Sequence, residues 1–378
     1  MKRVKWVLVS DAEDRMLRPD STEGEVSVGQ SEGPRVGSKT RAGIGDVAAL
    51  AGVAQGTVSN VLNHPDRVSA TTREKVERAM AMLSYVPNGI ARTLAVGASS
   101  SVALVLSDLS NSLFIDIARG AETAVGESGA SLLMANTDSL LEREQSYLRM
   151  FAQSRVAGIL ITLNDATHYA AITEVAPATT PVVMLNYRAE PSRFCSVSVD
   201  NELGGYLAAR HLIDLGRTRL AFVGGPDELA PVHDRELGFW RAVKEAGIDG
   251  EIVRPRWINR SDGWQVGAEL ADRARADLPD GVFAASDLLA AGLLQALTAR
   301  GVSIPRDVAV VGYDNNQAAW DSPIPITTIA QPGEQMGALG ASLVADEAAV
   351  EATGGTHTHR AEVLEPQLVV RESSVSAG

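Results

Sequence analysis

The chain has 378 residues, with 34 Lys and Arg against 47 Asp and Glu, for a formal net charge of −13. Hydrophobic residues make up 45% and charged residues 21%, enough apolar surface for two or three packed domains and too much for a chain disordered throughout. The apolar runs Ser101–Leu106 and Val182–Leu185 fall far short of the roughly 18 residues a membrane helix needs, so no membrane partner is expected.

The N-terminus, MKRVKWVLVSDAED, has a short apolar run followed at once by acidic residues, unlike a secretory signal, and a cytoplasmic location is expected. The single cysteine, Cys195, excludes an intrachain disulfide and leaves no metal cage visible in the sequence. Neither a metal nor a cofactor is expected. Charge is unevenly spread: residues 1–39 hold seven basic and seven acidic residues, and residues 40–97 hold six and four. The remaining body carries 21 basic and 36 acidic residues, so a near-neutral segment precedes a strongly acidic one.

Residues 1–39 are rich in Gly, Ser, Glu and Asp without an apolar period and are expected to be a disordered extension. In residues 40–87, Val47, Ala48, Ala51, Val58, Val61 and Leu62 form an apolar face broken at Ala51-Gly52-Val53, the pattern of a helix-turn-helix. Ser69 is placed to cap a third helix carrying Val76, Ala79, Met80 and Leu83 on one face. Residues 88–100 read as a linker with one short helix, too short to be stable alone.

From Ser101 strands and helices alternate. Strands are expected at 101–107, 131–135, 158–163, 182–186, 219–223, 282–285 and 308–311. Helices are expected at 113–129, 140–154, 203–215, 235–246, 262–275 and 288–300. This order indicates two doubly wound parallel sheets with helices on both faces, whose ligands sit at the carboxyl ends of strands. Those ends carry Ser107-Asp108, Asn186, Gly224-Gly225, Ser286-Asp287 and Gly312-Tyr313-Asp314.

The stretch DVAALAGVAQGTVSNVLN from Asp46 to Asn63, with VSATTREKV from Val68 and YVPNGIARTL from Tyr85, resembles the headpiece and hinge of the LacI/GalR family of transcriptional regulators. Asp108-Leu-Ser-Asn, Val199-Asp-Asn, His211-Leu-Ile-Asp-Leu-Gly-Arg, Val311-Gly-Tyr-Asp and Pro325-Ile-Thr-Thr-Ile resemble the effector-domain landmarks of that family, so the likeness spans roughly residues 43–374.

The resemblance implies an all-α headpiece plus a bilobal, periplasmic-binding-protein-like effector and dimerisation domain over 101–378. Its N-lobe is expected at about 101–198 and 331–362, and its C-lobe at about 199–330 and 363–378. It further implies a repressor acting as a homodimer on a pseudo-palindromic double-stranded DNA operator. A sugar-like effector would close the two lobes and melt the hinge helices.

A recognition helix turns its first residues to the major groove, and Gln55, Gly56, Thr57, Ser59 and Asn60 are small or hydrogen-bonding. By resemblance Gln55, Gly56 and Asn60 read bases, while Asn63, Arg67, Ser69 and Thr72 meet phosphates. Ala91 and Leu94 belong to the hinge, where the leucine would wedge into the minor groove. The sequence departs from the family pattern at Gly43, where a capping Thr is usual, at Gly45, where a longer side chain is common, and at Ala54, where a Ser is usual.

Asp314 can accept from vicinal hydroxyls, and Arg235, opening a helix after Gly224-Gly225-Pro226, can donate a fork of hydrogen bonds. By resemblance Ser107, Asn186, Arg235, Ser286, Asp314 and Gln331 contact the effector. Phe114, Trp264 and Trp320 are candidate stacking faces. Thr356-His-Thr-His359 is expected to be a solvated loop and Cys195 a packed thiol. No nucleophile elbow, Walker sequence or dinucleotide fingerprint is present, so no enzyme activity is expected. The alternative to a regulator is a sugar-binding protein of the same bilobal fold without DNA-binding function.

Overall fold

The computed structural model describes residues 42–85 and 101–375. The extension 1–39 and the hinge, with Ala91 and Leu94, lie outside the described residues. The chain divides into two compact units, Met1–Pro87 and Asn88–Gly378.

The first unit holds α1 (Ile44–Ala51), α2 (Gln55–Asn63), a 3-10 turn (Pro65–Arg67) and α3 (Ala70–Met82). Val47, Ala48, Val58, Val61, Val76 and Ala79 form its core. Gly52 closes α1 in the left-handed conformation (φ 70°) that a residue with a Cβ rarely adopts, and so permits the tight turn into α2. Neither α1 nor α2 has a side-chain cap at its N-cap, Gly43 and Ala54 respectively. Ser69 caps α3, accepting from Thr72 N at 3.3 Å.

The second unit contains two six-stranded sheets. The elements of its first half are β1 (Ser101–Leu106), α4 (Ser112–Glu127), β2 (Ser131–Asn136), α5 (Leu141–Gln153), β3 (Ile159–Thr162), α6 (Ala166–Val175), β4 (Val182–Leu185) and β5 (Cys195–Val199). The chain continues through α7 (Asn201–Asp214), β6 (Arg219–Val223), α8 (Ala230–Ala246), β7 (Asp249–Val253), α9 (Arg260–Ala271), β8 (Gly281–Ala284), α10 (Asp287–Ala299), β9 (Ala309–Asp314), α11 (Gln317–Asp321) and β10 (Thr327–Ala330). Last come α12 (Gly333–Ala352), β11 (Ala361–Leu364) and β12 (Gln367–Val369).

Sheet one runs β11-β5-β4-β3-β1-β2, all parallel. Sheet two runs β12-β10-β9-β8-β6-β7 and is parallel apart from β12. The chain passes between the sheets three times, after β5, after β10 and after β11, which places a cleft between two lobes at the strands' carboxyl ends. The central strands are buried on both faces and therefore read as continuous apolar runs.

Several elements carry no sequence signal that the periodicity reading recognises. The longest is α12, whose Gly- and Ala-rich sequence has apolar residues around its whole circumference. Its small residues serve close packing on α4: a Cβ on Gly120 would lie 1.9 Å from Glu334 O, and one on Gly337 1.9 Å from Ile117 O. Strands β5, β7, β10, β11 and β12 and helices α6 and α11 are likewise absent from the sequence expectation. Helix α8 starts at Ala230, with Pro231 in its first turn, so Arg235 lies in the second turn rather than opening the helix. No helix among the described residues is long and apolar enough to cross a membrane.

Candidate functional site

In the first unit, Gln55, Gly56 and Asn60 are exposed on α2, while Thr57 and Ser59 are half-buried. Val58 and Val61 turn into the core. Arg67 is exposed in the 3-10 turn, and the Ser69 and Thr72 hydroxyls lie 2.9 Å apart. The Gln55 amide lies over Gly45, whose missing Cβ would sit 3.0 Å from Gln55 Nε2. Asn63 ends α2, and its side chain lies outside the described residues.

In the second unit, Asn186, Asp314 and Arg235 converge on the cleft from β4, β9 and α8, with Phe114 from α4 and Gln331 from the β10–α12 crossing. The cleft encloses about 580 Å³ including its open mouth. Arg235 is held rigidly: Nε donates to Asn201 Oδ1 at 2.9 Å, an NH group donates to Ala285 O at 2.6 Å, and the guanidinium lies 3.6 Å over the Tyr313 ring. Its remaining nitrogen is 4.0 Å from Asp314 Oδ1. Both Asp314 oxygens already accept hydrogen bonds, from Asn111 Nδ2 at 2.8 Å and Gln331 Nε2 at 2.7 Å. Burial pushes the Asp314 carboxyl up, opposed by Arg235 and these two amides. Asp287, fully buried nearby, is held well above the usual carboxylate range by burial and by the Asp314 charge.

Two side-chain acceptors in the cleft, Asn186 Oδ1 and Gln331 Oε1, are buried without a hydrogen-bond partner. Asn186 and Asp314 also hold positive φ, 58° and 106°, a strained backbone at the site. The lobes touch on both flanks of the cleft. On one, Asn316 Nδ2 donates to Asn111 Oδ1 at 2.9 Å and Gln317 N to Ser112 Oγ at 2.8 Å. On the other, Ala166 N donates to Glu228 O and Ala230 N to Asn164 O. The structure is therefore the closed form of the cleft.

Two expected contacts do not line the cleft. The Ser107 hydroxyl is tied to Thr162 O at 2.9 Å and lies 2.8 Å from Thr162 Oγ1. Ser286 caps α10 and donates to Ile258 O, so its hydroxyl serves the strand end. Trp264 and Trp320 are exposed elsewhere, because their helices turn those faces to solvent. The aromatic wall is Phe114 together with Trp257. Trp257 was missed because it follows β7, a strand the periodicity did not reveal. Asn164 was missed although it follows the end of β3, where the strand-end rule points directly to it.

The loop expected to be solvated packs His357 and His359, each half-buried, against the Cys195 thiol. Parallel pairing of β11 with β5 brings these distant segments together.

The sequence model for bacterial regulatory proteins of the lacI family matches residues 43–88, and that for a periplasmic binding protein-like domain matches residues 209–374. The HTH-type transcriptional repressor PurR of Vibrio vulnificus (strain CMCP6) is 33% identical over 333 residues, 87% of this chain and 98% of that protein. The HTH-type transcriptional regulator DegA of Bacillus subtilis (strain 168) is 33% identical over 334 residues, 87% of this chain and 97% of that protein. Among solved structures, the lac repressor dimer bound to operator and the anti-inducer ONPF has a TM-score of 0.74 at 26% identity, covering 89% of this chain and all of its own. The transcriptional regulator CelR in complex with cellobiose has a TM-score of 0.63 at 34% identity, covering 88% of this chain and all of its own. A third of its residues are shared with such regulators along nearly their whole length, so the chain belongs to the LacI family of bacterial regulatory proteins and is a DNA-binding transcription regulator, not an enzyme.

Proposed function

We propose that the protein is a cytoplasmic repressor that binds a pseudo-palindromic operator as a homodimer and releases or tightens it in response to a polyhydroxylated, sugar-like effector held in the cleft. The observation that carries the effector reading is the pair of orphaned acceptors, Asn186 Oδ1 and Gln331 Oε1, beside the fixed Arg235 fork. A ligand rich in hydroxyls supplies donors to the first two and acceptors to the third, so each buried polar group gains a partner. Phe114 and Trp257 offer apolar faces for a sugar ring. The cellobiose bound by CelR is in keeping with this chemistry.

Domain boundaries follow the same reading: an extension over 1–39, a headpiece over 40–87, a hinge over 88–100 and the bilobal body beyond. Exposed Gln55, Gly56 and Asn60 supply the base-reading face, with Thr57 and Ser59 beside them, and Arg67, Ser69 and Thr72 the phosphate contacts. The homodimer reading is supported by β2, an edge strand of sheet one that exposes Leu133 (40%) and Met134 (61%).

The test is capture of fragmented genomic DNA on the full-length protein, with and without a panel of mono- and disaccharides that includes cellobiose. A two-fold symmetric site whose retention one sugar changes is the expected result. Sugar binding without any enriched site would favour the sugar-binding protein that lacks a DNA-binding role.

A further inference from the structure

Away from the cleft, at the opposite end of sheet one, four side chains of metal-ligating chemistry meet. Cys195 is the first residue of β5, Glu347 lies on α12, and His357 and His359 lie on the segment leading into β11. One ligand atom from each falls within 4.8 Å of all the others. Cys195 Sγ is 3.2 Å from His357 Nε2 and 3.8 Å from His359 Nδ1, and His359 Nδ1 is 3.8 Å from Glu347 Oε2. Ligands held at about 2.0–2.3 Å around a tetrahedral zinc ion stand roughly 3.3–3.8 Å from one another, close to these three separations.

The local structure explains the convergence. β11 adds to the edge of β5 in parallel register, Ala361 opposite Ser196, so the chain just before β11 passes the start of β5. His357 and His359 are two residues apart, and in extended chain that spacing turns both rings to one side. The Arg360 N–H donates to Cys195 Sγ at 3.4 Å, an interaction that stabilises a thiolate.

A second observation points independently to a ligand. Glu347 is 7% exposed, and its Oε2, facing the histidines, has no hydrogen-bond partner. A buried carboxyl oxygen with no hydrogen bond, and only His359 Nδ1 at 3.8 Å, costs free energy that a bound cation would remove.

We propose that Cys195, His357, His359 and Glu347 form a binding site for one divalent transition-metal ion of the zinc class, which clips the edge strand β11 and the end of α12 to β5. Thiolate and imidazole donors select zinc or cobalt over magnesium and calcium, which prefer oxygen alone. Binding displaces the thiol proton to solvent and leaves all four donors coordinated.

The experiment uses untagged full-length protein, stripped with chelator and titrated with Co²⁺. The expected result is a visible spectrum of a tetrahedral ion with a near-ultraviolet thiolate-to-cobalt band, saturating at a single equivalent and abolished by equimolar Zn²⁺. Cys195→Ser should remove the near-ultraviolet band, and Glu347→Gln should keep it while weakening affinity by roughly tenfold or more. Cys195 is fully buried, so His357→Gln, at a half-exposed ring, guards against a folding defect: its circular dichroism should match the parent while cobalt binding falls. Absence of tetrahedral bands in the parent, a near-ultraviolet band that survives in Cys195→Ser, or undiminished cobalt affinity in folded His357→Gln would overturn the site.

Discussion

Asn111 Nδ2 donates to Asp314 Oδ2 at 2.8 Å and so joins the N-cap of α4 in one lobe to the end of β9 in the other. The same Asn111 uses its Oδ1 to cap α4 and to accept from Asn316, which makes one amide the latch of the closed cleft. Asn111→Ala removes both interlobe bonds at a cost of about 1–3 kcal/mol to the closed form. The expected result is a larger radius of gyration by small-angle scattering for the free protein and weaker binding of whichever sugar the panel identifies. An unchanged radius and affinity would show that the backbone bridges at 164–166 and 228–230 suffice to close the cleft.

Asp287 supplies a pH test. Its carboxyl is raised by burial and by Asp314, so the folded state holds the proton more tightly than the unfolded chain. The contribution to stability is fully present below the unfolded value of about 3.9 and is lost as pH rises through the raised folded value. Asp287→Asn removes that titration. Urea midpoints should favour the variant increasingly as pH rises above the unfolded value of about 3.9, until the folded carboxyl has also ionised. A constant gap between variant and parent would mean that Asp287 stays ionised throughout.

The N-cap residues of α1 and α2, Gly43 and Ala54, offer no side-chain acceptor, and only α1 has a compensating bond, from Gly43 N to Asp46 Oδ2 at 2.8 Å. Ala54→Ser restores an acceptor for the free N–H groups at the start of α2 and should stabilise the unit by about 0.5–2 kcal/mol. Differential unfolding of the headpiece, followed by operator titration, measures both consequences. Operator affinity should rise with stability, since Ala54 precedes the exposed face rather than forming it.

Gly120 and Gly337 let α4 and α12 approach so closely that neither tolerates a Cβ without backbone movement. Gly120→Ala should destabilise the second unit by about 1–3 kcal/mol through overpacking. Thermal unfolding of the parent and variant checks this, and a loss of less than half a degree in Tm would contradict the packing described.

Leu133→Lys with Met134→Lys places two charges on the exposed edge strand β2. On the homodimer proposal, sedimentation should show a dimer for the parent and a monomer for the variant, and operator affinity should fall because half-sites are no longer bound together. A stable dimer in this variant would move the interface to another face.

Much of the site was legible because its physics is local. Val47 and Ala51, Val58 and Leu62, and Val76 and Met80 each recur at helical spacing within one helix, so the headpiece could be read from its apolar period. Asn186, Arg235 and Asp314 lie near strand ends or on a helix facing the cleft, where the topology of parallel sheets places ligands. Residues 1–39, the hinge contacts expected at Ala91 and Leu94 and the Asn63 side chain fall outside the described residues.

What the sequence determined by itself was the three-helix headpiece, the alternation of strands and helices that marks parallel sheets, and the family pattern, since periodicity, caps and strand-end residues act over a few positions. Only the tertiary structure decided which polar groups were already spoken for. Ser107 and Ser286 carry the right chemistry, yet their hydroxyls are consumed by Thr162 and Ile258, partners 55 and 28 residues away. It also decided what meets across the fold: Cys195 and His357 are 162 residues apart in the chain and 3.2 Å apart in space. Such pairs depend on the pairing and register of β11 against β5, a contact between segments far apart in the chain that no local propensity specifies.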